Sequence, residues 1–262
     1  MAHIPRTLAG SLCLPSTPFL DAFRIFSPME LAGALAVVTG ATQGIGHAIG
    51  VALGQAGAKL AICARTDAAV RATLGDWKRA GIDAIGMRCD VSDPACVDAF
   101  AAFVTGQRGA PSILVNNAGI GRFKPLEELS LEEWDEMMGV NVRSLYLVTR
   151  AFLRGMKEAG GGTVVNVASL AGKNGVEGGT AYCASKHAVL GFSKALMLEV
   201  RKHGVRVVAV CPGSVDTSFG NRQRGNRDRV LKPEDVAHAV VAALTVSDGA
   251  MMSELDIRPT NP

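Results

Sequence analysis

An α/β fold, a doubly wound parallel sheet of about seven strands with helices on both faces, is what this sequence predicts. Two observations lead there. From Ala34 onward, short apolar runs alternate with longer helical stretches. That alternation needs right-handed crossovers and a sheet covered on both sides. The composition agrees: 48% of the 262 residues are hydrophobic, only 5% are aromatic, and 30 are glycine. Such a balance suits aliphatic strands buried on both faces and packed by small side chains.

The elements follow in order. Residues 34–39, Ala-Leu-Ala-Val-Val-Thr, read as a buried strand, followed by a glycine turn and a helix to about Gln55. Residues 59–64 make a second strand, 67–80 a helix and 83–88 a third strand. Ser92-Asp93-Pro94 starts the next helix, with Ser or Asp as cap and Pro in the first turn. Residues 112–116 form a fourth strand. Ser130 and Glu133 form a capping box, and helix runs on to about Glu158. Gly160-Gly161-Gly162 breaks it before a fifth strand at 163–168. A helix at 180–203, a strand at 205–210, a helix at 233–245 and a last strand at 253–257 complete the pattern. Residues 31–262 therefore form one domain, without internal repeat or linker. Residues 1–30, with four prolines and a broken apolar middle, are expected to be a disordered or surface-lying extension. A targeting peptide or an initiator at Met29 would also account for them.

Two motifs carry chemistry. Gly40-Ala41-Thr42-Gln43-Gly44-Ile45-Gly46 joins the first strand to a helix. Glycines there allow a tight turn and close backbone approach, and the helix start offers free N–H groups and a positive dipole end to a pyrophosphate. Tyr182 and Lys186 are one helical turn apart, with Ser169 upstream. A phenol has a pKa of about 10, and a fixed cation beside it favours the phenolate. Ser169 would hold a carbonyl oxygen near that phenol. Gly40, Asp90, Asn117, Ser169 and Pro212 fall just after strands one, three, four, five and six. They share the carboxyl edge of the sheet, where ligands bind in such folds.

Together these motifs resemble the short-chain dehydrogenase/reductase family, in its compact single-domain branch, over nearly all of residues 31–258. The resemblance implies a Rossmann-type fold and hydride transfer between a nicotinamide and a carbonyl or secondary alcohol. Thr39 to Gly46 match the family's cofactor turn, so Gly40, Thr42, Gln43, Gly44, Ile45 and Gly46 are cofactor residues. Asp90-Val91 looks like the adenine-holding pair, and Asn116-Asn117-Ala118-Gly119 the family signature after the fourth strand, with Asn117, Ala118 and Gly119 at the cofactor. Pro212, Gly213, Val215 and Thr217 belong to a loop closing over the nicotinamide. Asn141, Ser169, Tyr182 and Lys186 are the implied catalytic set, with Asn141 holding a water that links Lys186 to solvent. Tyr182 and Lys186 also face the cofactor.

The second strand ends Ala64-Arg65, with no acid where one would bind a ribose diol. A guanidinium pairs with a 2′-phosphate, so NADP is favoured over NAD. Specificity should come from residues 121–126, 170–179 and the loop after Thr217. That loop carries Arg222, Arg224, Arg227 and Arg229. They read either as a solvated basic loop or as a rim attracting a carrier-protein-bound thioester. The chain is similar in this part to 3-oxoacyl-carrier-protein reductases. A net charge of +3 argues against nucleic acid, and no apolar run is long enough for a membrane span. Six scattered cysteines fit a reducing compartment, the cytoplasm. The two long helical stretches carry surplus apolar residues, which suggests a homotetramer or dimer. A catalytically silent NAD(P)-sensing module on the same fold is the alternative reading.

Overall fold

A computed structural model describes residues 30–221, 230–247 and 249–260. Seven strands form one sheet: β1 (Leu35–Thr39), β2 (Lys59–Ala64), β3 (Ala84–Arg88), β4 (Ile113–Asn116), β5 (Gly162–Val167), β6 (Val205–Pro212) and β7 (Glu254–Ile257). Their order is β3-β2-β1-β4-β5-β6-β7, and every pairing is parallel. The order reverses between β1 and β4, which opens a crevice at the carboxyl edge of those two strands.

Alternating residues of each strand build two cores. Val38, Ile62, Val115 and Val208 pack against helices α1 (Gly44–Gln55), α2 (Asp67–Arg79) and α7 (Pro233–Leu244). Val37, Ala61, Leu114 and Val207 face α3 (Pro94–Arg108), α5 (Ser144–Glu158) and α6 (Thr180–Val200). This period of two, apolar on both faces, makes the central strands β1 and β4 nearly continuous hydrophobic runs in sequence.

The expected starts hold. Asp93 caps α3, accepting from the Ala95 amide at 2.9 Å with Pro94 in the first turn. Ser130 and Glu133 form the capping box of α4 (Leu131–Met138). Two expectations change. The helix read as continuous to Glu158 is α4, a single π turn at Gly139–Arg143, and α5. The 180–203 helix likewise ends at Val200, with a 3-10 turn at Arg201–His203 and Gly204 in the left-handed region. Residues 1–29 and the four arginines after Asn221 lie outside the described residues.

Candidate active site

Thr39 ends β1 and ties the two halves of the crevice together. Its hydroxyl accepts from the amides of Asn117 (3.0 Å) and Ala118 (3.1 Å). The Asn117 side chain donates to the carbonyls of Thr39 (2.9 Å) and Gly40 (3.1 Å). The signature after β4 thus holds the backbone of the glycine turn. Gly40 and Gly44 adopt φ of +65° and +56°, where an L side chain is strained. Gly46 needs its bareness for another reason: a Cβ there would lie 2.3 Å from Asn117 Nδ2 and 2.4 Å from the Gly40 carbonyl. Gln43 precedes α1 without a side-chain cap, so its own side chain leaves the N–H groups of that first turn open. A pyrophosphate fits this cradle.

Where the adenosine end is expected stand Asp90, Val91 and Arg65. Asp90 Oδ1 accepts from the Ser92 amide (2.9 Å) and hydroxyl (2.7 Å). Burial pushes its carboxyl pKa up, but those hydrogen bonds and the nearby Arg65 charge outweigh it and hold it below the usual range. Val91 is buried beneath. Arg65 is well exposed, with Nη1 3.6 Å from Glu136 Oε1.

At the other end, α6 buries Tyr182 and Lys186 on one face. Lys186 Nζ lies 5.8 Å from the Tyr182 ring centre and donates to the Val167 carbonyl at 2.9 Å. Burial lowers the Lys186 pKa to about 8. The rings of Phe123 and Phe219 flank Tyr182, with centres 5.1 and 5.6 Å away. Ser169 follows β5 and accepts from the Ala171 amide at 3.1 Å, which leaves its O–H proton to donate. Lys173, just beyond, pairs with Glu254 and Asp256 on β7.

Asn141 sits in the π turn, 3% exposed. Its Oδ1 accepts from the Ile120 amide (2.8 Å), and Nδ2 donates to the Ile120 carbonyl (2.9 Å) and Ser185 Oγ (3.0 Å). Both N–H donors are occupied, so any water held by this side chain must use the remaining lone pair of Oδ1. A Cβ on Gly119 would lie 3.3 Å from Asn141 Oδ1 and 3.7 Å from Lys186 Nζ, so Gly119 allows those groups to approach. Beyond β6, the Gly213 amide donates to the Ile257 carbonyl at 2.8 Å. Val215 bridges to Leu231. A Cβ on Gly44 would stand 3.2 Å from Thr217 Cγ2, so the Pro212–Gly213 segment leads back to the glycine turn.

Residues from the glycine turn, the β4 signature, the Ser/Tyr/Lys set and the loop after β6 therefore line one crevice. The model of the short chain dehydrogenase family matches residues 34–228. The chain belongs to that family. Among short-chain dehydrogenases, it is 40% identical over 237 residues to the D-threitol dehydrogenase of Mycolicibacterium smegmatis, covering 85% of this chain and 89% of the other. It is 38% identical over 191 residues to the 3-oxoacyl-[acyl-carrier-protein] reductase of Pseudomonas aeruginosa, covering 73% and 77%. A solved short-chain dehydrogenase structure, a variant of actinorhodin polyketide ketoreductase with NADPH, superposes with a TM-score of 0.81 at 34% identity, covering 87% and 97%.

Sequence reading did not single out Glu136, Arg122 or Phe219. Glu136 reads as one more acid on a solvated helix, and Phe219 as part of a variable loop. Only their neighbours in space give them meaning. The segment holding Phe123 and the loop holding Phe219 were both expected at the substrate end.

Proposed function

We propose that this short-chain dehydrogenase is an NADP-dependent carbonyl reductase, reversibly an alcohol dehydrogenase. One observation carries the reading: the Lys186 ammonium is buried beside the Tyr182 ring and fixed by the Val167 carbonyl. A fold has no structural need to bury a lone cation there. Bound NADPH supplies the hydride. Ser169 donates a hydrogen bond to the carbonyl oxygen and fixes its position. Tyr182 gives its proton to that oxygen as negative charge develops. Lys186 stabilises the tyrosine oxygen left behind and would hydrogen-bond the nicotinamide ribose of a bound cofactor. Asn141 clamps Ile120 and Ser185, and so positions the strip behind both catalytic side chains. Arg65 would pair with a 2′-phosphate, which favours NADP over NAD. A silent sensor would have no use for the complete Ser169, Tyr182 and Lys186 set.

The similarity to a 3-oxoacyl-carrier-protein reductase supports a 3-oxoacyl thioester substrate, with the arginine-bearing loop as the carrier's landing rim. A homodimer or tetramer and a cytoplasmic setting complete the proposal. Five described cysteines are free thiols, and no helix among the described residues is long and apolar enough to cross a membrane.

The decisive experiment is Tyr182→Phe, assayed with acetoacetyl thioester and NADPH. Turnover should fall about 10²- to 10⁴-fold, the usual contribution of a general acid, with NADPH affinity retained. Near-wild-type turnover would refute the role of Tyr182. No reaction of the wild type with any 3-oxoacyl thioester would refute the substrate class alone.

A further inference from the structure

We infer that Glu136 is a resident counter-ion of the 2′-phosphate site, and that its carboxylate competes with that phosphate for Arg65. It thereby limits how strongly the chain prefers NADP over NAD. The inference rests on the assignment of Arg65 to the 2′-phosphate made above.

Four observations support it. Glu136 on α4 uses its two oxygens separately: Oε1 lies 3.6 Å from Arg65 Nη1, and Oε2 accepts from Arg122 Nη2. Arg122 anchors the pair. Its Nη2 donates to Glu136 Oε2 from a side chain that is partly exposed, with Nε alone buried, and this contact holds Glu136 toward Arg65. Arg65 is different. Its carbonyl accepts from Arg88 Nε at 3.1 Å, which fixes the backbone, while its side chain is 59% exposed. The guanidinium can change partners at little cost. Finally, Asp90 stands close enough for its charge to be felt by Arg65.

Arg65 therefore meets the Glu136 carboxylate, with Asp90 within electrostatic reach, before any cofactor arrives. An incoming 2′-phosphate, at about −1.5 to −2 charge for a phosphate monoester, must take Arg65 from Glu136 and then sit near that carboxylate. Both effects oppose NADP. Neither touches NAD, whose ribose hydroxyl is uncharged. Because the pair is solvent-facing, its effect is moderate, in the range of exposed ion pairs.

The test is calorimetric titration of the full chain with NADPH, NADH and adenosine 2′,5′-bisphosphate, a fragment that carries the phosphate but no nicotinamide. Glu136→Gln should tighten NADPH and the bisphosphate about three- to fivefold and leave NADH unchanged. Glu136→Ala should act in the same direction. In an Arg65→Ser background the gain from Glu136→Gln should shrink to the direct repulsion between phosphate and carboxylate, because the cycle removes the shared partner; an undiminished gain would show that Glu136 does not act through Arg65. Equal shifts for NADPH and NADH, or weaker NADPH binding by Glu136→Gln, would overturn the inference while leaving Arg65 in its role. If the wild type binds both cofactors alike and Arg65→Ser alters neither, the Arg65 assignment itself falls and takes the inference with it.

Discussion

At Lys186, chemistry and folding pull in opposite directions. An ammonium 5% exposed loses most of its hydration and recovers one hydrogen bond, to Val167. Burial brings its pKa from 10.5 to about 8 in the folded chain. The unfolded chain therefore binds more protons between those values, and stability should rise as pH climbs from about 8 to about 10.5. Below that window the full penalty applies, roughly 3 kcal/mol from the size of the shift. Lys186→Met removes the charge and keeps the volume. It should abolish turnover yet raise stability at pH 7 by about 1–2 kcal/mol once the lost hydrogen bond is set against the relieved burial. For a chain of this size that is a few degrees in thermal midpoint. The rise in stability above pH 8 should also flatten. A lower midpoint at pH 7, measured by scanning calorimetry without cofactor, would mean that the lysine supports the fold. The Tyr-x-x-x-Lys spacing was legible in sequence because helix periodicity fixes it. The depth of burial was not, since it depends on Val167 and Cys211 arriving from other strands.

Among the elements, most strand and helix boundaries were legible to within one or two residues, because aliphatic runs and capping residues determine them locally; the end of the 180–203 helix, at Val200, was not. The π turn was not. Gly139–Arg143 carries no signal of its own; the turn fits a place where Asn141 is held inward by both backbone groups of Ile120, a contact between distant segments. The glycine turn shows the same division. Its residues were legible, but the reason Gly46 must be glycine lies in Asn117, which folds over it from β4. Alanine ordinarily stabilises a helix over glycine by up to about 1 kcal/mol. Gly46→Ala should do the reverse, with stability reduced and NADPH affinity down at least about tenfold, as the displaced Asn117 amide releases the Gly40 carbonyl. Gly106→Ala in α3 is the control, since a Cβ there meets nothing within 4 Å. It should stabilise the chain slightly and leave cofactor binding alone. Parallel behaviour of the two variants in a titration would show that the Asn117 contact is not what holds the cradle.

At the scale of the whole molecule, the outer surface of one helical layer carries exposed small and apolar residues. The α6 surface turned away from the sheet exposes Ala184, Gly191, Ala195 and Leu198, and neighbouring α5 exposes Tyr146, with Arg150 over its ring at 6.0 Å. Leu198 is 59% and Tyr146 49% exposed. Small residues at helical spacing allow two helices to approach closely, and the larger apolar groups at the margin gain by being covered. A two-fold contact that pairs this face with itself is the expected route to the proposed oligomer. Gly191 separates that expectation from a purely structural effect. A Cβ there meets nothing within 4 Å inside the chain, so Gly191→Arg should leave the protomer folded, and even help the helix, given the propensity difference of up to about 1 kcal/mol. In a two-fold interface the same side chain would meet its own symmetry mate, bringing two cations and two long chains into a tight contact. Light scattering at micromolar concentration should then report a smaller assembly for Gly191→Arg than for the wild type, with an unchanged or higher thermal midpoint for the protomer. An unaltered mass would place the interface on another surface, and a wild type that is itself monomeric would remove the oligomer from the proposal.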